Sequence, residues 1–157
     1  NGGSEELFKL TKKYNAGLFL MHKRGTPKDM QKKLNPRANM VKEFDKFIEK
    51  RLKILDKMNF SLKKVWFDPG IGFGKTLNQN LQLMRSLSKY SHKNLQILLG
   101  SSRKSWINFI DPSNADQRIG GSLASITHAL QQNVNTFRIH DVQETNQMIK
   151  VLKALNK

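Results

Sequence analysis

The chain has 157 residues, enough for one ordinary domain with its own core. It contains no cysteine, which excludes a disulfide scaffold and thiolate metal sites, and no apolar run of about eighteen residues, which excludes a membrane-spanning helix. Lys and Arg number 28 against 12 Asp and Glu, a formal net charge of +16.

Taken in chain order, the sequence alternates helical and strand patterns. A short helix is predicted near Glu5 to Tyr14, followed by an apolar run GLFLMH at 17–22. A long amphipathic helix is predicted over about 36–58, with Asn35 as N-cap, Pro36 at the first helical position, and Val41, Phe44, Ile48, Leu52 and Leu55 on one stripe. VWFD at 65–68 reads as a second strand, and a helix over about 78–90 turns Leu81, Met84 and Leu87 inward. LQILLG at 95–100 is a third strand, and the polar stretch DPSNADQ at 111–117 reads as a flexible loop. A helix starting at Ser122 turns Leu123, Ile126 and Leu130 inward, and TFRIH at 136–140 is a fourth strand. Asp141 reads as the N-cap of a last helix, with Glu144 completing a capping box and Met148, Leu152 and Leu155 as its stripe. The strands are short, apolar and not alternating, as in a parallel sheet covered on both faces. The fold class is therefore α/β, a parallel sheet or barrel.

The basic excess suits nucleic acid or an anionic surface. However, the lysines gather at 9–13, 28–33 and 50–64, mostly on predicted helix surfaces, and no aromatic residues interleave with them. A lysine-rich solvated face is the simpler reading, and a basic nucleic-acid-binding domain stays the lesser alternative.

Sites in βα folds lie at the carboxyl ends of the strands. There the sequence places Met21-His22-Lys23-Arg24-Gly25, then Asp68 with a glycine loop, then Gly100-Ser101-Ser102-Arg103-Lys104, then Arg138-Ile139-His140-Asp141. The loop FDPGIGFGKT is neither of two familiar phosphate cradles. A P-loop needs glycine where Pro69 stands, and the dinucleotide fingerprint needs glycine where Lys75 stands.

Five segments, LMHKRGTP, FDPGIGFGKT, LLGSSRKSWI, RIGGSLAS and FRIHDVQET, come in the order and spacing of dihydropteroate synthase, which the chain resembles along nearly its whole length. The resemblance implies a TIM (βα)8 barrel that joins a pterin bearing a CH2-pyrophosphate group to p-aminobenzoate, releasing pyrophosphate. By that resemblance Asp68 accepts from the pterin's amino and ring N–H groups, and Asn1, Met21 and Gly100 also meet the pterin. Lys104 contacts pterin and approaches p-aminobenzoate, beside Ser102 and Phe73. Arg138 lies against the pterin ring and, with His140, binds pyrophosphate; Lys104, Arg138 and His140 are the candidate catalytic groups. In this reading the glycines let the backbone turn off the strand and keep side chains away from a flat ligand.

The resemblance also implies Mg2+ bound with the pyrophosphate, with no metal ligand in this chain, and a homodimer formed through the later helices. The expected location is cytoplasmic, with no nucleic-acid or membrane partner. Residues 1–157 match only the C-terminal portion of the family, about the last four βα units of a single pterin-binding barrel domain. Together with a start at Asn1, this leads us to expect a truncated or processed product that is inactive alone. The nearest rival is another pterin-binding barrel, such as a methyltetrahydrofolate:corrinoid methyltransferase. Blander roles are expected elsewhere: His22 bonded to backbone, Lys75 on the surface, His92 and His128 structural or exposed, and Gly120, Gly121 and Ser122 starting a helix, with a phosphate at its N-terminus as the lesser alternative.

Overall fold

A computed structural model describes residues 5–26, 28–30, 32, 34–91, 93 and 95–156. Four strands, β1 (Leu18–Met21), β2 (Val65–Asp68), β3 (Gln96–Leu99) and β4 (Thr136–Phe137), form one sheet in the order β1-β2-β3-β4. Every pairing is parallel, with Met21 level with Asp68 and Leu99 level with Phe137. Helices α1 (Glu5–Lys13), α2 (Met40–Lys57), α3 (Leu77–Arg85), α4 (Ser88–Ser91), α5 (Ser105–Asn108), α6 (Ile119–Leu130) and α7 (Val142–Leu155) connect or flank the strands. None is long and apolar enough to cross a membrane.

The core lies between the sheet and the helices. Leu18 and Leu20 of β1, and Val65 and Phe67 of β2, pack with Met40, Phe44, Ile48 and Leu55 of α2. The α2 residues recur at helical spacing, which turns one stripe inward. Phe44 is fully buried, its ring edge-on to Tyr90 at 4.9 Å; burying such a side chain contributes roughly 1.5–3 kcal/mol. Side chains of the opposite strand face are less covered. Phe19 is 57% exposed and sits 5.1 Å from the half-buried Trp66, whose indole donates to Thr136.

Several helix ends differ from the sequence-based expectation. Asn39, not Asn35, caps α2: its side chain accepts from the Lys42 N–H, while Asn35 accepts locally from Arg37. The predicted 78–90 helix is two helices, because the chain breaks at Ser86, whose hydroxyl bonds back to Gln82. Its first part is set by a Thr76–Gln79 capping box, and the buried Gln79 and Asn80 share its inner face with Leu83 and Met84. Helix α6 begins at Ile119, so Gly120 and Gly121 lie inside its first turn, and a Cβ on Gly121 would collide with Ile107. The 111–117 loop is tied down: it carries a turn of 3-10 helix, and Arg118 donates to the Ser113 carbonyl. Asp141 makes no capping bond to α7, because Arg103 occupies its carboxylate. Of the stripe expected on α7, Met148 and Leu152 are half-buried, while Leu155 is 76% exposed.

Candidate functional site

The carboxyl ends of β1 to β4 share one edge, and the chemistry-bearing residues gather there. Asp68 ends β2, level with Met21, and is 3% exposed. Its Oδ1 accepts the Gly70 N–H at 2.7 Å. Burial raises its pKa above the ordinary carboxylate value, although that hydrogen bond and the charges of Lys104, Arg138 and Lys75 pull the other way. The carboxylate is thus short of donors, a state that a ligand's N–H groups would relieve.

The loop after β2 is shaped by glycines. Gly70, Gly72 and Gly74 have φ of +65°, +83° and +68°, the left-handed region. A Cβ on Gly70 would run into the His22 backbone oxygen, and one on Gly74 into that of Arg24. Lys75 holds this loop from inside. It is 3% exposed, not a surface residue as its place in a lysine-rich chain suggests. Its Nζ donates to the carbonyls of Gly70 at 2.8 Å, Phe73 at 3.1 Å and His22 at 3.2 Å. Burial lowers its pKa to about 7 against the opposing pull of Asp68. Asn80 completes the support, accepting from the Gly72 N–H and donating to the Lys75 and Thr76 carbonyls. The His22 N–H donates to the Asp68 carbonyl, and its imidazole hydrogen-bonds the Pro69 backbone, in keeping with the expected role. Its imidazole is packed near Phe44 and Phe47, and burial, then Lys75 and Arg24, lower its pKa to about 4.

Lys104 reaches from the β3 loop toward the glycine loop. Its Nζ donates to the Ile71 carbonyl at 2.6 Å and lies 4.6 Å from the Phe73 ring centroid, in cation–π range. Burial lowers its pKa to about 8, with Asp68 opposing and Arg138 reinforcing. Arg138 follows β4, its N–H donating to the Leu99 carbonyl. Its guanidinium lies across Gly100: a Cβ there would sit 2.9 Å from Nη2. Arg138 and His140 are both exposed, on the open side of the site, and among the described residues neither is in an ion pair.

Ser102 is buried, and its hydroxyl lies 3.0 Å from Nδ1 of His140. Arg103, left-handed at φ +56°, forks onto both oxygens of Asp141, while its N–H bonds Ser122 and its carbonyl accepts from Arg118. The Arg103 fork holds the Asp141 carboxyl below the usual carboxylate range.

The structure therefore brings Asp68, Lys104 and Arg138 into mutual electrostatic reach, with Met21, Phe73 and Gly100 around them and the Ser102–His140 pair on the β3 and β4 loops. Asn1 and His92 lie outside the described residues. His128 is exposed. Sequence reasoning missed Lys75, Asn80 and the Arg103–Asp141 pair. Two polar residues on the inward face of α3 were the available signal for Asn80; one lysine among many carried none. No cluster of three or more His, Cys, Asp or Glu able to hold a metal exists among the described residues.

Comparison with known proteins agrees with this geometry. The chain is 34% identical over 154 residues to the bifunctional dihydropteroate synthase/dihydropteroate reductase of Helicobacter pylori, covering 98% of this chain and 40% of that protein. It is 35% identical over 136 residues to the dihydropteroate synthase of Escherichia coli K12, covering 86% and 48%. The crystal structure of Thermus thermophilus dihydropteroate synthase in complex with 4-aminobenzoate superposes with TM-score 0.87 at 29% identity, over 98% of this chain and 62% of that one. The same enzyme has also been solved in complex with 6HMPPP. The chain spans about half the length of the curated relatives it matches, and its four βα units correspond to about half of a (βα)8 barrel. The family described as pterin binding enzyme matches residues 1–140, and that match includes each of the four strand ends just described: this chain belongs to the pterin binding enzyme family.

Proposed function

We propose that residues 1–157 are the C-terminal portion of a single pterin-binding barrel domain, and that the completed barrel is a dihydropteroate synthase. The observation that carries this is the buried Asp68 carboxylate facing the Lys104 and Arg138 cations across a floor of glycine. A pterin's amino and ring N–H groups form a donor–donor edge, which a carboxylate's two oxygens match. Met21 and Gly100 leave a flat slot beside it. Arg138 covers the ring and, with His140, meets the diphosphate. Lys104 lies between pterin and p-aminobenzoate, and Phe73 packs against the arylamine. Ser102 lies near the p-aminobenzoate carboxylate end, its hydroxyl 3.0 Å from Nδ1 of His140.

The chemistry needs no protein nucleophile. The C–O bond to diphosphate breaks, leaving a pterin-stabilised cation; the diphosphate departs with the electron pair; the arylamine nitrogen then attacks and loses a proton. Arg138 and His140 stabilise charge building on the leaving oxygen, and Asp68 opposite favours the electron-poor ring. Among the described residues no group of three or more His, Cys, Asp or Glu could hold a magnesium ion. A magnesium ion travelling on the diphosphate would neutralise its oxygens. A second copy docking on α7 would cover its exposed Val142, Val151 and Leu155.

The test supplies the natural full-length gene product with the pterin pyrophosphate and p-aminobenzoate and follows pyrophosphate release. Release that depends on both substrates supports the reading. Methyl transfer from a methylated folate without pyrophosphate release favours the corrinoid-type rival. Pterin-competed binding to nucleic acid that weakens steeply with salt favours the basic-domain reading.

A further inference from the structure

Two consecutive side-chain pairs join the β3 and β4 loops: Ser102 meets His140, and the next residue of each loop, Arg103, meets Asp141. The second pair is tied at both backbone and side chain. Within the first pair, Ser102 Oγ lies 3.0 Å from Nδ1 of His140 and accepts the backbone N–H of the same histidine at 3.4 Å. A hydroxyl has one proton and two lone pairs. One lone pair of Ser102 faces that N–H. The residue is 3% exposed, so bulk water does not take its proton. Among the described residues the remaining partner of Oγ is the ring nitrogen Nδ1.

We propose that Ser102 is a positioning residue that donates to Nδ1 of His140, so that the neutral imidazole carries its proton on Nε2, across the ring and toward the open mouth. This rests on the synthase reading above for its consequence, though not for its geometry. A histidine locked in this tautomer presents a donor to an oxyanion in both its neutral and its charged states. The departing diphosphate therefore meets an N–H at any working pH. In the other tautomer the same position presents a lone pair, which repels that oxyanion.

The decisive measurement is the nitrogen-15 spectrum of His140 in the natural full-length gene product, labelled at histidine, without ligand. It is recorded about two pH units above the ordinary imidazole value of ~6.5. Nε2 protonated and Nδ1 shifted as a hydrogen-bond acceptor is the expected result; a predominantly Nδ1-protonated ring overturns the proposal. Ser102→Ala should mix the tautomers and lower kcat/KM for the pterin pyrophosphate roughly 10- to 100-fold, beyond any effect on KM for p-aminobenzoate. Ser102→Thr, which keeps the hydroxyl, should restore the wild-type spectrum and most of the rate. A rate loss in Ser102→Ala with an unaltered spectrum, or a rise confined to KM for p-aminobenzoate, overturns the positioning role. If wild type releases no pyrophosphate, the synthase reading fails, and the nitrogen-15 spectrum alone still decides the tautomer.

Discussion

The loop after β2 and the pair of loops after β3 and β4 border the same mouth but are held in opposite ways. The first is fixed through its backbone: left-handed glycines, no room for a Cβ at Gly70 or Gly74, and one buried ammonium on three carbonyls. The others are fixed to each other by side chains, Ser102 to His140 and Arg103 to Asp141. A loop held by its backbone is part of the fold, so damage there reaches stability. Loops stapled by side chains can lose one rung and keep the fold, so damage there reaches the rate.

The largest expected effect is at Gly70. Gly70→Ala combines a left-handed φ with a methyl driven into the His22 carbonyl, and should cost about 3 kcal/mol or more in a denaturant titration. A loss below about 1 kcal/mol would break the contrast. Lys75→Met strands three carbonyls and should cost roughly 2–3 kcal/mol by the same titration.

Asp68→Asn keeps an acceptor for the Gly70 N–H but loses the ionised oxygen that the proposed pterin contact would use. Pterin affinity by calorimetry should fall at least about 100-fold. Stability moves the other way. Because burial raises the folded pKa above its unfolded value of 3.8, the ionised carboxylate costs stability above that folded value, and the cost vanishes below 3.8. The variant should therefore unfold later than wild type at neutral pH and lose that advantage in acid.

On the stapled side, Asp141→Asn should lower kcat roughly tenfold while the melting temperature stays nearly unchanged; a melting loss as large as that of Gly70→Ala would erase the distinction. The smallest effect is a pH limb. Lys104 is a cation below about 8 and neutral above it, so kcat/KM should decline as pH rises past that value. Lys104→Arg should flatten the decline whatever its effect on the rate itself.

The strands were legible because each is an apolar run between polar segments, and all four lie within a residue or two of their expected bounds, except that β4 stops at Phe137. The convergence of Asp68, Lys104 and Arg138 followed from reading strand ends. Capping was harder. Asn35-Pro36 carries the right residues for a helix start, yet Asn39 has the free N–H groups in front of it. Asp141 looks like a cap at three-residue spacing from Glu144, but a guanidinium 38 positions earlier in the chain outcompetes the local N–H groups. Lys75 was invisible for a similar reason. Nothing in its own neighbourhood says that the His22 carbonyl, from the end of another strand, will join those of its own loop around it. Partners set by the fold, not by the local sequence, are what a strand-and-helix pattern leaves out.

Each strand of this sheet after β1 is bonded to the strand that precedes it in the chain. A polypeptide leaving the ribosome would always find its next docking edge already built, and no strand need wait for a later one before it can pair. Growth in that order leaves the outer rims of β1 and β4 as the two places where more sheet can be joined, so closing such a ring resembles fastening a clasp between two finished arcs.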